Sequence, residues 1–182
     1  MKYSLFIAVL AIILLPFNTQ ADEQEKKFTL GAGTYDLRIA YDNSSLVDGY
    51  FSGVGVSASY AFTNKYAIRG EYYRLEHDDD SGLDVDGFDL VGYYGTGLIT
   101  KGVKAYVGVG IFTEMHDSSN LTENFKGLQL NGGIGYNWDA VSLEFVLGIR
   151  DVSDYKDYIE DTGGISTKAR AVSGSIIFSA RI

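Results

Sequence analysis

Apolar side chains alternate with small or polar ones through most of this chain. In residues 50–62, for example, Tyr50 and Val54 share one parity, whereas Gly53 and Ser57 share the other. The same pattern recurs in residues 26–41, 65–76, 87–99, 103–115, 126–138, 141–151 and 172–182. Because successive side chains of a β-strand point to opposite faces, the pattern predicts eight strands that each have one apolar face.

The composition favours strands and tight turns over helices. The chain has 14 Tyr, 10 Phe and 22 Gly, and its single proline is Pro16. Aromatic residues are enriched in strands, and glycine marks turns. Without cysteine, no disulfide can hold the fold. A formal net charge of −9 disfavours nucleic acid as a partner, because its phosphates would be repelled.

The N-terminal segment predicts export. Residues 1–21 begin with the basic Lys2, continue with an apolar run from Leu5 to Phe17, and end with the small residues of a cleavage site before Asp22. The run is shorter than the roughly 20 residues of a membrane-spanning helix. We therefore expect a cleaved signal peptide at residues 1–21 and one exported domain at residues 22–182.

The segments between the predicted strands alternate in length. Short polar joints fall at residues 63–65, 100–102 and 137–140, and long ones at residues 42–49, 76–86, 116–126 and 151–167. An even number of antiparallel strands with short turns at one end and long loops at the other is typical of outer-membrane β-barrels. The sequence thus predicts an all-β, eight-stranded, up-and-down transmembrane barrel.

A soluble sandwich or lipocalin-like barrel would instead bury the apolar faces. The predicted strands run about 11 to 13 residues, whereas a membrane-spanning strand needs about 9–11 and a typical globular strand has about 5–6. Aromatic residues also stand near the strand ends, as an interfacial girdle requires. These girdle residues are Tyr50, Tyr60, Tyr66, Tyr72, Phe88, Tyr136 and Trp138. We therefore expect the apolar faces to contact lipid in the bacterial outer membrane.

The first strand changes parity along its length. Phe28 and Leu30 share one parity, whereas Leu37 and Ile39 have the other. One extra residue in a strand reverses the facing of all that follow. A β-bulge near Thr34 or Tyr35 would therefore bring these apolar side chains onto one face.

If the apolar faces point outward, charged side chains line the lumen: Arg69, Glu71, Asp89, Lys104, Glu114, Glu144, Arg150 and Arg181. An eight-stranded barrel is just wide enough to be filled by side chains. Opposite charges in so narrow a space should pair, because an unpaired buried charge is costly. We expect a plugged lumen without a cofactor, with Glu114 and Arg181 as candidates for strand-end positions in water. A narrow channel for small solutes is the alternative.

The closing segment carries the alternation to its last residue. Its apolar face consists of Gly174, Ile176, Phe178, Ala180 and Ile182. In lipid every backbone group must be paired, so the last strand should close on the first. These residues resemble the C-terminal signal by which the barrel assembly machinery recognises outer-membrane proteins, although that signal usually ends in an aromatic residue.

Taken together, the export signal, the eight strands, the four long loops and the terminal strand resemble the small outer-membrane barrels of the OmpA transmembrane-domain and OmpX/Ail type. The resemblance implies roles in envelope integrity, adhesion or host interaction, with lipid and lipopolysaccharide as surroundings. A closed barrel leaves no strand edge to pair, so we expect a monomer.

Two loop motifs suggest further functions. Asp80, Asp84 and Asp86 are candidate Ca²⁺ ligands, since Ca²⁺ prefers carboxylate oxygens, but they match only a fragment of a calcium-binding loop. A solvated acidic loop, or one bridged by divalent ions to lipopolysaccharide phosphates, is the competing interpretation.

The stretch His116-Asp117-Ser118 resembles the His-x-Ser of barrel-shaped lipid A deacylases, in which a histidine activates a serine nucleophile. Here Ser119 separates the motif from Asn120, and no acidic third member is evident. The stretch reads as a polar loop tip, and we expect no enzyme activity.

Overall fold

The computed structural model describes residues 25–43, 46–78, 82–118, 121–163 and 167–182. The predicted signal peptide lies outside the described residues, as do the calcium candidate Asp80 and Asn120 of the deacylase-like motif.

Eight strands form a closed barrel in which each strand pairs with its neighbours in chain order. All pairs are antiparallel, and β1 closes on β8. The strands are β1 Phe28–Tyr41, β2 Gly49–Ala61, β3 Tyr66–His77, β4 Leu83–Thr96, β5 Gly102–Ser118, β6 Leu121–Asn137, β7 Val141–Arg150 and β8 Ala169–Arg181. The predicted eight-stranded up-and-down barrel is confirmed.

The apolar faces of the strands point outward. Val107, Leu130 and Leu147 are each more than 60% exposed, whereas inward-facing charged residues such as Lys104 and Glu144 are at most 5% exposed. This is the reverse of a soluble barrel, and it suits a surface that contacts lipid.

The predicted β-bulge in β1 is wrong. The pairing of β1 with β2 runs without interruption from Phe28↔Tyr60 to Ile39↔Gly49. The change of parity therefore turns Leu37 and Ile39 into the barrel, where both are almost fully buried. They lie there because the loop end of the lumen is filled by an apolar cluster rather than by charge.

The short turns fall close to their predicted positions, but two of the predicted long loops are mostly strand. β3 continues to His77 and β4 begins at Leu83, while β5 continues to Ser118 and β6 begins at Leu121. β5 and β6 have 17 residues each, well beyond the roughly 9–11 that span a bilayer. The barrel wall therefore extends past the membrane on the side of the long connections.

The last long connection contains a helix, α1, at Ser153–Gly163. Asp151 accepts hydrogen bonds from the amide and hydroxyl of Ser153, which satisfies a free amide at the helix start. Tyr155 and Tyr158, three residues apart, pack toward the barrel mouth. Among the described residues, no helix has the length and apolar character needed to cross a membrane.

Candidate functional site

The lumen contains two clusters of buried charge. The first, here called the lower network, lies toward the short turns and centres on Glu144. The carboxylate of Glu144 accepts bonds from Arg69 at 2.5 Å, from Lys104 at 2.8 Å and from the Tyr106 hydroxyl at 2.5 Å. Arg69 also donates to Ser59 at 3.0 Å. One buried acid thus contacts two buried bases, which leaves this network with an excess positive charge.

The second cluster, the upper network, lies toward the long connections and centres on Arg150. Its guanidinium contacts Glu114 at 2.6 Å and Asp89 at 3.1 Å. It also donates to the hydroxyls of Tyr35 at 2.5 Å and Tyr73 at 2.9 Å. The two tyrosines donate in turn to the carboxylates, Tyr35 to Asp89 and Tyr73 to Glu114. Here one buried base contacts two buried acids, which leaves this network with an excess negative charge.

Glycines on neighbouring strands make room for the tyrosines of both networks. Tyr73 lies opposite Gly87, and Tyr106 lies opposite Gly133. A Cβ atom at either glycine would overlap the ring of the facing tyrosine. The small residues of the inner face therefore allow large rings to lie flat across a narrow lumen.

An apolar plug closes the lumen above the upper network. Its buried members are Tyr35, Leu37, Ile39, Phe51, Tyr73, Leu75, Val85, Phe112, Phe125, Tyr155 and Ala171. Tyr155 comes from α1, is 2% exposed and donates a hydrogen bond to Glu114. The helix thereby joins the plug to the upper network.

The other predicted lumen residues are also buried. Arg181 donates to the backbone carbonyls of Trp138 and Ile99 rather than to a carboxylate. Glu71 is 7% exposed, and among the described residues it has no hydrogen bond or ion pair. The expectation that Glu114 and Arg181 sit in water at strand ends is wrong, since both are at most 5% exposed.

The seven predicted girdle residues all point outward, with exposures between 38% and 54%. Tyr66 contacts Tyr94 and Tyr136 contacts Trp138, with ring centroids 5.2 and 4.9 Å apart. These pairs flank the short turns. The remaining members of the predicted set, Tyr50, Tyr60, Tyr72 and Phe88, share the outward orientation.

The terminal segment forms β8, with Ile176, Phe178 and Ile182 about half exposed on the outer face. Gly174 and Ala180 have the same parity and are partly buried. The backbone of Ile182 exchanges hydrogen bonds with Phe28, at 2.8 and 3.2 Å. The last residue of the chain thus completes the closure of the barrel.

His116 lies on strand β5 rather than on a loop tip, so that part of the prediction is wrong. Its Nε2 lies 3.2 Å from Glu114, and its ring packs edge-on against Phe51 and Phe125. In the part of the chain that the structure describes, no hydrogen bond joins it to Ser118. Its geometry makes it a neighbour of the upper network.

Two of the three acidic candidates for a metal site, Asp84 and Asp86, are already engaged. Asp84 pairs with Arg74 at 3.1 Å, and Asp86 accepts from the Tyr72 hydroxyl at 2.5 Å. No group of three metal-ligating side chains occurs within the described ranges. These contacts join β3 to β4 on the outer face.

The sequence prediction missed the tyrosines that organise the lumen: Tyr35, Tyr73, Tyr106 and Tyr155. Three of them occupy inward positions of the alternation, where glycine and charge suggest a polar lining. Inward tyrosines opposite glycines are the signal that would have revealed them. To find the fourth, Tyr155, one would have had to recognise the helical spacing within an acidic segment.

Residues 7–177 match the family described as the outer membrane protein beta-barrel domain. The chain belongs to this family. It is accordingly an integral protein of the bacterial outer membrane. In barrels of this kind the longer connections are generally extracellular. Comparison with curated proteins found no significant match.

Solved structures show the same fold. The attachment invasion locus protein Ail of Yersinia pestis has 13% identity and a TM-score of 0.58, with 87% of this chain and all of that chain covered. Neisserial surface protein A has 14% identity and a TM-score of 0.60, with 85% and 97% covered. The Ail structure is also known in complex with the heparin analogue sucrose octasulfate, at 15% identity and a TM-score of 0.56, with 87% of this chain and all of that chain covered.

Proposed function

We propose that this protein is a sealed outer-membrane scaffold that presents an acidic surface to the cell exterior. The observation that carries the proposal is the pair of buried networks, which fill the lumen with charges that satisfy one another. The protein then acts through the contacts of its extracellular part, in a structural or surface-interaction role.

A sealed lumen is favoured over a narrow channel by the cost of opening it. Breaking a buried ion pair by removing one partner costs about 3–5 kcal/mol. A solute path would have to disrupt the contacts of both Glu144 and Arg150, and also displace the plug at the mouth. No charged side chain of either network is bound so weakly that it could move out of the lumen on its own.

The extracellular side is mostly acidic. Its acids include Asp42, Asp48, Asp78, Asp84, Asp86, Asp117, Glu123, Asp151, Asp154, Asp157, Glu160 and Asp161. Its bases include Arg38, Arg74, Lys126, Lys156, Lys168 and Arg170. Such a surface would repel a polyanion like the heparin analogue bound by Ail. We therefore propose contact with cationic partners, or with lipopolysaccharide phosphates through bridging divalent ions.

Three further proposals follow from the geometry. The protein is a monomer, because every strand edge is paired. It is not a lipid A deacylase, because the His116 ring contacts Glu114 rather than Ser118. The outward face of β8, with Phe178 at its centre, is the signal read by the barrel assembly machinery.

Planar-bilayer recording tests the sealed lumen. Purified wild-type protein should give no steady conductance, whereas the double variant Glu144→Ala/Arg150→Ala, which breaks both networks, should give openings. Steady conductance from the wild type would favour the channel instead. Lipid A mass spectra from cells with and without the protein should be identical, and a lost acyl chain would support the deacylase.

A further inference from the structure

A cavity of about 330 Å³ lies at the extracellular mouth, between α1 and the ends of β1 to β6. Its floor includes Phe51 and Tyr155, which are almost fully buried. Its rim includes Val47, which is 85% exposed, and the Asp48 side chain, which is 27% exposed. The volume lies within the range of roughly 300–1,000 Å³ seen for small-molecule sites.

Aromatic rings form most of the cavity wall. The seven rings belong to Tyr41, Phe51, His77, His116, Phe125, Tyr155 and Tyr158. Several meet nearly at right angles: Phe51 with His77 at 86° and Phe125 with Tyr158 at 89°. Rings set this way present faces and edges on several sides of one space, an arrangement that suits a ligand enclosed among them.

Among the lining residues in the described part of the chain, Asp48 alone carries a carboxylate. It pairs with Arg38 at 2.9 Å and accepts from the amide of Tyr41 at 3.1 Å, so its position is fixed. The surrounding extracellular surface is acidic, as described above. Aromatic faces attract cations through the ring quadrupole, and an acidic rim raises the local concentration of cations.

We propose that the cavity is a binding site for a small organic cation with an apolar body, such as a quaternary or substituted ammonium compound. The rings contact the apolar body and the charged head, while Asp48 and the acidic rim select positive charge. The site lies on the outer side of the plug, with which it shares Phe51, Phe125 and Tyr155.

The chain offers a direct reporter, because its only two histidines, His77 and His116, both line the cavity. The protein would be prepared with ¹³C-labelled histidine in zwitterionic nanodiscs. Phenyltrimethylammonium should shift both histidine signals saturably. The neutral isostere tert-butylbenzene, at equal free concentration, should bind at least tenfold more weakly. Absence of saturable shifts, or equal binding of both compounds, would overturn the proposal.

Variants assign the binding to the named residues. Asp48→Asn should weaken phenyltrimethylammonium binding about threefold to tenfold. Asp42→Asn, which removes a charge from the same rim but not from the cavity, should leave it nearly unchanged. Tyr158→Leu should weaken binding similarly, with Tyr94→Leu on the outer surface as its control. Equal effects of Asp48→Asn and Asp42→Asn would show only general electrostatic attraction. Heat-dependent gel mobility verifies that each variant folds.

Discussion

Glu144→Gln should be among the most destabilising single substitutions in this barrel. Glu144 is 1% exposed and is the acid that pairs with both Arg69 and Lys104. Glutamine keeps nearly the same shape and retains an oxygen acceptor, so little packing is lost. What changes is the charge: two cations remain in a narrow lumen with no carboxylate in contact.

The magnitude follows from this geometry. Removing one partner of a buried ion pair costs about 3–5 kcal/mol. Whole-protein stabilities are commonly about 5–15 kcal/mol, so the loss is a large fraction of the total. With a urea dependence of about 2 kcal/mol/M, the unfolding midpoint should fall by about 1.5–2.5 M.

Urea titration of protein refolded into lipid vesicles measures this loss through fluorescence of Trp138, the single tryptophan of the chain. Asp139→Asn is the matched control, because Asp139 pairs with Lys101 at 3.0 Å with both side chains about 70% exposed. An exposed pair contributes about 0–1 kcal/mol. If Glu144→Gln costs no more than Asp139→Asn, the lumen is wet and the sealed-lumen argument fails.

A second variant separates charge from geometry. Lys104→Met in the Glu144→Gln background removes one of the two stranded cations. If uncompensated charge causes the loss, the double variant should be more stable than Glu144→Gln alone, by about 1 kcal/mol or more. A double variant that is less stable would show that lost hydrogen bonds and packing dominate.

Three further predictions concern the upper barrel and the packing of the lumen. Gly133→Ala should cost about 1–3 kcal/mol in urea unfolding, because the new Cβ would overlap the ring of Tyr106. Gly92→Ala should be nearly neutral, because its Cβ would lie 3.9 Å from the nearest atom outside its chain neighbours. Tyr155→Phe removes the hydrogen bond to Glu114 and should speed amide hydrogen exchange in α1 about fivefold or more without changing global unfolding. Hydrogen bonds from the helix start hold the pKa of Asp151 below its usual value. Their contribution is therefore present above about pH 4 and is lost as the pH falls through the lowered pKa, so α1 amide signals should shift below about pH 4 and stay constant from pH 5 to 8.

The lower half of the barrel could be predicted almost completely from the sequence. There the alternation is unbroken: residues such as Val107 and Leu130 face lipid, and Arg69, Lys104 and Glu144 face the lumen. Period-two patterning fixes which face a residue occupies, because a shift of one position would reverse every side chain. It does not fix which charges meet, since that depends on the stagger of strands far apart in sequence.

The upper half follows different physics, and several of the predictions for it, such as the β-bulge in β1, were wrong. The membrane no longer requires apolar residues on the outer face, so apolar side chains such as Leu37, Ile39 and Leu75 turn inward to form the plug. Residues such as Arg38 and Arg74 occupy the outward-facing positions of these strands. A parity change in mid-strand therefore marks the level at which the barrel leaves the bilayer, and no bulge is needed to explain it.

The two halves of the barrel also differ in the sign of the excess charge that their networks carry. The lower network places two bases around one acid, and the upper network places two acids around one base. Each taken alone carries an excess charge that a dry lumen disfavours. Their excesses are opposite and lie within one narrow lumen, so each offsets the field of the other. Neutralising either network alone by mutation should therefore destabilise the other. The double-mutant coupling energy between Glu144→Gln and Arg150→Met should be favourable, because the two substitutions together remove one charge of each sign.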